Sequence, residues 1–140
     1  MSRTRLVAAV LLAALSGSTA VAQPAASYPS GSAFYLAYRQ AFDKATTIDE
    51  LLPWVAKGRA EQIAKAPDTE RREAFAMIKM FDDRTNVTVL KETPSATGAE
   101  LQVEGVSAEG RGKAAGVITL VKEGGAWRID RESWKGGGGR

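Results

Sequence analysis

The chain has 140 residues, no cysteine and no histidine, and a formal charge of +3. Without those two residue types, Ser-His-Asp and Cys-His nucleophile schemes and His or Cys metal sites are excluded. Setting aside Arg3 and Arg5, which lie in the first 22 positions, leaves 17 basic against 16 acidic residues, a net of +1. That balance argues against nucleic acid or an anionic membrane as partner.

The first segment, "MSRTRLVAAVLLAALSGSTAVAQ", has the order of a cleavable export signal: Arg3 and Arg5, an apolar run from Leu6 to Leu15, then Ala20-Val21-Ala22. The run is about half as long as a membrane-spanning helix requires. With no cysteine to carry a lipid, no stable membrane anchor is expected after cleavage, and the location predicted is periplasmic or secreted. Cleavage after Ala22 leaves one domain's worth of chain, enough to bury a core without disulfides. Residues 23–32, "QPAASYPSGS", are rich in Pro, Ser, Ala and Gly and read as a flexible leader. The domain proper is placed at 33–135, and the Gly-rich 136–140 as a flexible tail.

Helical periodicity then dominates. "SAFYLAYRQAFDKA" sets Phe34, Tyr38, Ala41, Phe42 and Ala45 on one stripe, with Arg39, Gln40, Asp43 and Lys44 mostly opposite and Ser32 as N-cap. "TIDE" at 47–50 fits a capping box between Thr47 and Glu50. Pro53 disfavours helix at Leu52, so a short turn is predicted over 48–52, with a fresh helix from near Pro53 to about Lys65. Pro67 ends that helix. Asp68 or Thr69 starts another, whose buried stripe is predicted as Ala74, Phe75, Ile78 and Phe81, with Met77 adjoining.

After Asp83 the period changes to two. "TNVTVLKE" and "ELQVEGV" alternate, and Gly105 breaks the phase, so a bulge is predicted there. "AAGVITLVKE" is nearly all apolar and reads as a central strand covered on both faces. Gly124-Gly125 suits a two-residue hairpin turn. In "AWRIDRESW", Trp127 and Ile129 share one face, while Arg128, Asp130 and Glu132 share the other. Trp134 falls on the charged face if the strand stays regular. A bulge, a fraying strand end, or an apolar spot on the outer face would each account for it. Helices followed by strands give an α+β class: three N-terminal helices packed on a curved four-stranded antiparallel meander, cone-like in shape.

Four features together resemble small exported members of the nuclear transport factor 2-like superfamily, the cystatin-like α+β cone. They are "FYLAYRQAF", "ELLPWVAKG", the long meander and the closing "VITLVKEGGAWRIDRESW". The resemblance spans about 34 to 135. It implies a bent sheet wrapped around helices, often with an apolar pocket at the open end. Some relatives are isomerases, dehydratases or cyclases; others bind small ligands or dimerise through the outer sheet face. Fold alone does not choose among these.

The chemistry left is that of carboxylates, lysine and tyrosine. Asp49-Glu50 reads as helix capping. Asp82, at the helix-to-strand junction, is the one candidate for a general base in a carboxylate-based isomerase or dehydratase-like reaction. Asp82 with Asp83 lacks the alternating, glycine-containing loop of a hard-cation site. "AEGRGKAAG" matches no phosphate-binding pattern and reads as a hairpin loop. The chain is rich in rings, which either pack as core or line a pocket. The ligand-binding candidates are Tyr38, Phe42, Trp54 and Trp127, and the function expected is non-catalytic binding of a small apolar ligand. The alternative is a protein–protein interaction module or homodimer using Trp134 and the outer sheet face. No cofactor and no metal are expected.

Overall fold

The structure, a computed structural model, describes residues 28–82, 84–107 and 112–136. The fold is α+β: helices α1 (Gly31–Lys44), α2 (Lys57–Lys65) and α3 (Asp68–Phe81), a 3-10 segment Ile48–Trp54, and then strands β1 (Arg84–Pro94), β2 (Gly98–Ser107), β3 (Lys113–Glu123) and β4 (Ala126–Gly136). The strands form one antiparallel sheet in the order β1-β2-β3-β4, a curved meander. The expected export signal, residues 1–22, lies outside the described residues.

The inner face of the sheet and the ring stripe of α1 make the core. Phe34, Tyr35, Tyr38 and Phe42 are buried against Leu101, Val103, Ile118, Leu120 and Ile129. Burying each such side chain contributes on the order of 1.5–3 kcal/mol. The start of α1 is held twice. Ser30, not Ser32, is the N-cap, its side chain accepting from the Ala33 amide at 3.1 Å. Glu92 on β1 then accepts from the Gly31 amide at 2.7 Å and the Ser32 hydroxyl at 2.6 Å. A carboxylate there complements the positive end of the helix dipole. Gly31 allows the approach, since a Cβ would lie 2.8 Å from the Glu92 Oε1. The leader is therefore shorter than the sequence suggests. Tyr28 packs edge-on to Phe34 at 5.6 Å and belongs to the fold.

The predicted capping box between Thr47 and Glu50 is present, and the Glu50 carboxylate accepts from the Thr47 amide at 3.2 Å and the Thr46 amide at 2.7 Å. These bonds pull the Glu50 pKa below its ordinary value. Pro53 does not start a new helix. It sits inside the 3-10 segment, and α2 begins only at Lys57. The interval is used for docking: Val55 bridges to Ile129, and the Ala56 amide donates to the Ile129 carbonyl at 2.8 Å.

Three further expectations are corrected. Of the predicted α3 stripe only Phe75 is buried; Met77, Ile78 and Phe81 are 56%, 45% and 66% exposed. β3 alternates along its length instead of being covered on both faces, and Val117 faces solvent. β2 has no inserted residue at Gly105 and pairs with β3 in unbroken register from Gly98 to Val106; the bulge lies across from it, where Asn86 and Val87 of β1 stand opposite Gly105. The irregularities fall instead in β1, between Thr85 and Thr88 and between Val89 and Lys91, and in β4, where Ile129 pairs with Leu120 but Arg131 with Thr119. The β3–β4 turn is as expected, with Gly124 and Gly125 at φ of +57° and +80°. β4 extends to Gly136, one residue into the predicted tail.

Candidate functional site

The β4 irregularity decides what the interior contains. Asp130 is the extra residue, opposite no partner on β3. A strand alternates faces with period two, so one inserted residue inverts the phase of everything after it. Trp127 and Ile129 point inward before the bulge. After it, Glu132 pairs with Ile118, and Trp134 with Gly116, both of which are inward-facing. The bulge, one of three explanations open for Trp134, is thus the one found. Trp134 lies over Gly116 on the inner face, where an added Cβ at position 116 would meet the indole at 2.9 Å. The expected interface role of Trp134 on the outer face loses its footing. Glu132, assigned by simple alternation to the outer face, is also turned inward.

Glu132 accepts from the Tyr35 hydroxyl at 3.2 Å and from the Trp134 indole N–H at 3.4 Å, both at Oε2. Burial holds the Tyr35 and Tyr38 phenols well above their ordinary range, and the Glu132 carboxylate pushes both further the same way. Both rings are therefore neutral donors. Beside them Arg39, expected on the solvent side of α1, is buried and grips Asp82 with two bonds, 2.7 Å from Nη1 and 3.2 Å from Nη2. Burial opposes the guanidinium charge, but the hydrogen bonds and charge of Asp82 outweigh it and hold Arg39 above its ordinary range. The pair is a bidentate fork, the strongest form of this contact. Its cation also stacks 5.1 Å from the Phe42 centroid.

A cavity of about 80 Å3 opens next to this polar group. Its walls come from α1 (Tyr38, Phe42), the 3-10 segment (Ile48, Leu51), α3 (Phe75, Ile78) and β4 (Ile129), and Glu132 is its acidic group. Arg59 and Ile78 stand at the exposed side, and Arg59 Nη1 donates to the Asp130 carbonyl at 3.4 Å, bracing the bulge. Of the four predicted ligand residues, Tyr38 and Phe42 line this cavity and the two tryptophans do not. Trp54 is buried behind Tyr38, their centroids 6.1 Å apart. Trp127 faces a separate groove near the α1 start, its indole donating to the Tyr28 carbonyl at 3.4 Å and the Lys122 ammonium 4.5 Å above its ring. Asp82 is buried as a base would need to be, yet it is bound by Arg39 and is not among the cavity's lining residues.

Sequence reasoning missed Glu132 and Arg39. No residue in "RIDRES" marks the bulge, because Asp130 is a polar residue among polar residues. Arg39 carried a weak signal: its ring-rich helix has more rings than one apolar stripe holds, so Tyr35 and its neighbours widen the buried face. Among the described residues no group of three or more acidic side chains is placed to hold a metal ion, and no helix is long and apolar enough to cross a membrane. No family model matches this chain, and no curated protein and no solved structure matches it.

Proposed function

We propose that the protein is an exported, nuclear transport factor 2-like binding domain that takes a small apolar ligand into the cavity between α1, α2, α3 and β4. The observation that carries this reading is an apolar-walled cavity with one carboxylate and a neutral tyrosine facing it, the usual composition of a small-molecule site. The volume sets the size of the guest. An apolar cavity of about 150 Å3 holds a benzene ring, so about 80 Å3 suits a guest of a few heavy atoms or the tip of a larger one. The reading assigns binding and no reaction.

Isoleucine methyl NMR tests it. Ile48, Ile63, Ile78 and Ile129 line the cavity, while Ile118 is fully buried elsewhere in the core. Titration with neutral alcohols and hydrocarbons of three to five carbons is expected to shift the first four methyls and leave Ile118 in place. If no compound moves the lining methyls, or if Ile118 moves with them, the site is not a binding site.

A further inference from the structure

Resting on that reading, we infer that the cavity selects a cationic guest, a short primary alkylammonium, with Glu132 as the group that recognises the ammonium. The argument is a local charge balance. Among the described residues, Arg39, Asp82 and Glu132 meet in the inner polar cluster. Arg39 and Asp82 are tied to each other by two hydrogen bonds. Glu132 is the carboxylate that lines the cavity, and among the described residues no Lys or Arg forms an ion pair with it. The hydrogen bonds that reach Glu132 come from neutral groups, the Tyr35 hydroxyl and the Trp134 indole at Oε2 and the Tyr38 hydroxyl as a further donor. The residue lines the cavity.

A carboxylate at an apolar wall disfavours a hydrocarbon or an anion and favours a donor, most of all a charged one. Arg59 does not reverse this. It is exposed at the cavity mouth, where solvent and salt screen it, and its Nη1 is turned to the Asp130 carbonyl. The aromatic walls work in the same direction. Tyr38 lines the cavity with an aromatic ring, and cations stack on such rings. The guest's alkyl part meets Leu51, Phe75 and Ile129.

The test compares three guests of one size: n-butylammonium, n-butanol and n-butyrate, at equal ionic strength, read by the isoleucine methyls. A hydrogen bond to a charged group gains over a neutral one by an amount worth about tenfold in affinity. Butylammonium is expected to saturate the Ile129 and Ile63 shifts at about tenfold lower concentration than butanol, and butyrate is expected not to bind. Glu132→Gln, which keeps the shape, is expected to bring the ammonium and the alcohol within about twofold of each other. Equal binding of ammonium and alcohol by the unaltered protein overturns the inference while the cavity reading stands. An ammonium preference that survives Glu132→Gln overturns it as well. If none of the three binds, the cavity reading and the inference fail together. The comparison of guests on the unaltered protein needs no variant, so it stands even if Glu132→Gln unfolds.

Discussion

Helices α1 and α3 are each 14 residues long and each carries apolar residues at helical spacing, yet they end in opposite situations. In α1, Phe34, Tyr35, Tyr38 and Phe42 are buried, and even its arginine is drawn in. In α3 only Phe75 is buried, while Met77, Ile78, Met80 and Phe81 are exposed to between 45% and 69%. α1 lies across the sheet, capped by Glu92 of β1 and bonded through Tyr35 to Glu132 of β4. α3 is fastened at few points. Phe75 enters the core, and Lys79 donates to the carbonyls of Phe42 and Asp43 at 2.7 and 3.2 Å. Periodicity specifies that a helix has an apolar side; what covers that side is decided by elements far away in sequence.

The comparison is broken most severely at Arg39. Replacing it with methionine leaves the Asp82 carboxylate buried without its bidentate partner. The expected loss is about 3–5 kcal/mol of unfolding free energy, measured by urea denaturation. A loss under about 1 kcal/mol would mean that the α1 face is as loosely held as that of α3.

A smaller effect follows from the buried phenol of the same helix. The Tyr35 pKa is raised in the folded state, so its stabilising contribution is complete below the unfolded-state pKa, about 10, and is lost as pH rises beyond it. Above about pH 10 stability is expected to fall by about 1.4 kcal/mol per pH unit from this residue. Thermal melts between pH 9 and 11.5 should show a shallower alkaline slope for Tyr35→Phe than for the unaltered chain. Parallel slopes would mean that Tyr35 ionises as readily folded as unfolded.

The smallest effects belong to α3. Met80→Ser and Phe81→Ser remove exposed side chains, and each is expected to change stability by no more than about 0.5 kcal/mol. A loss of 2 kcal/mol or more at either would show that this face is covered after all.

The contrast also marks how much could be read in the chain alone. The change of rhythm near Arg84 is local, and it correctly separates helices from strands. The Gly124-Gly125 turn is local too, since two successive positive φ angles need glycine. The pocket walls were partly legible: Tyr38 and Phe42 line the cavity, but Trp54 and Trp127 serve the core and the α1 start. What was hidden is the unpaired Asp130. A bulge shows only against the register of the neighbouring strand, here Thr119 and Leu120, 10 or more positions away in the chain. Missing it misplaces Glu132 and Trp134 together. The burial of Arg39 was hidden for a related reason, because its partner Asp82 is 43 positions away.

The inward turn of β4 underlies both the site and its chemistry, and the cysteine-free chain permits a direct test. Single cysteines placed at Arg131, Glu132, Ser133 and Trp134 can be compared for their rate of reaction with a water-soluble maleimide. The bulge at Asp130 predicts fast labelling at 131 and 133 and slow labelling at 132 and 134. The reverse order, fast at 132 and 134, would mean that β4 runs without a bulge and that the carboxylate faces solvent.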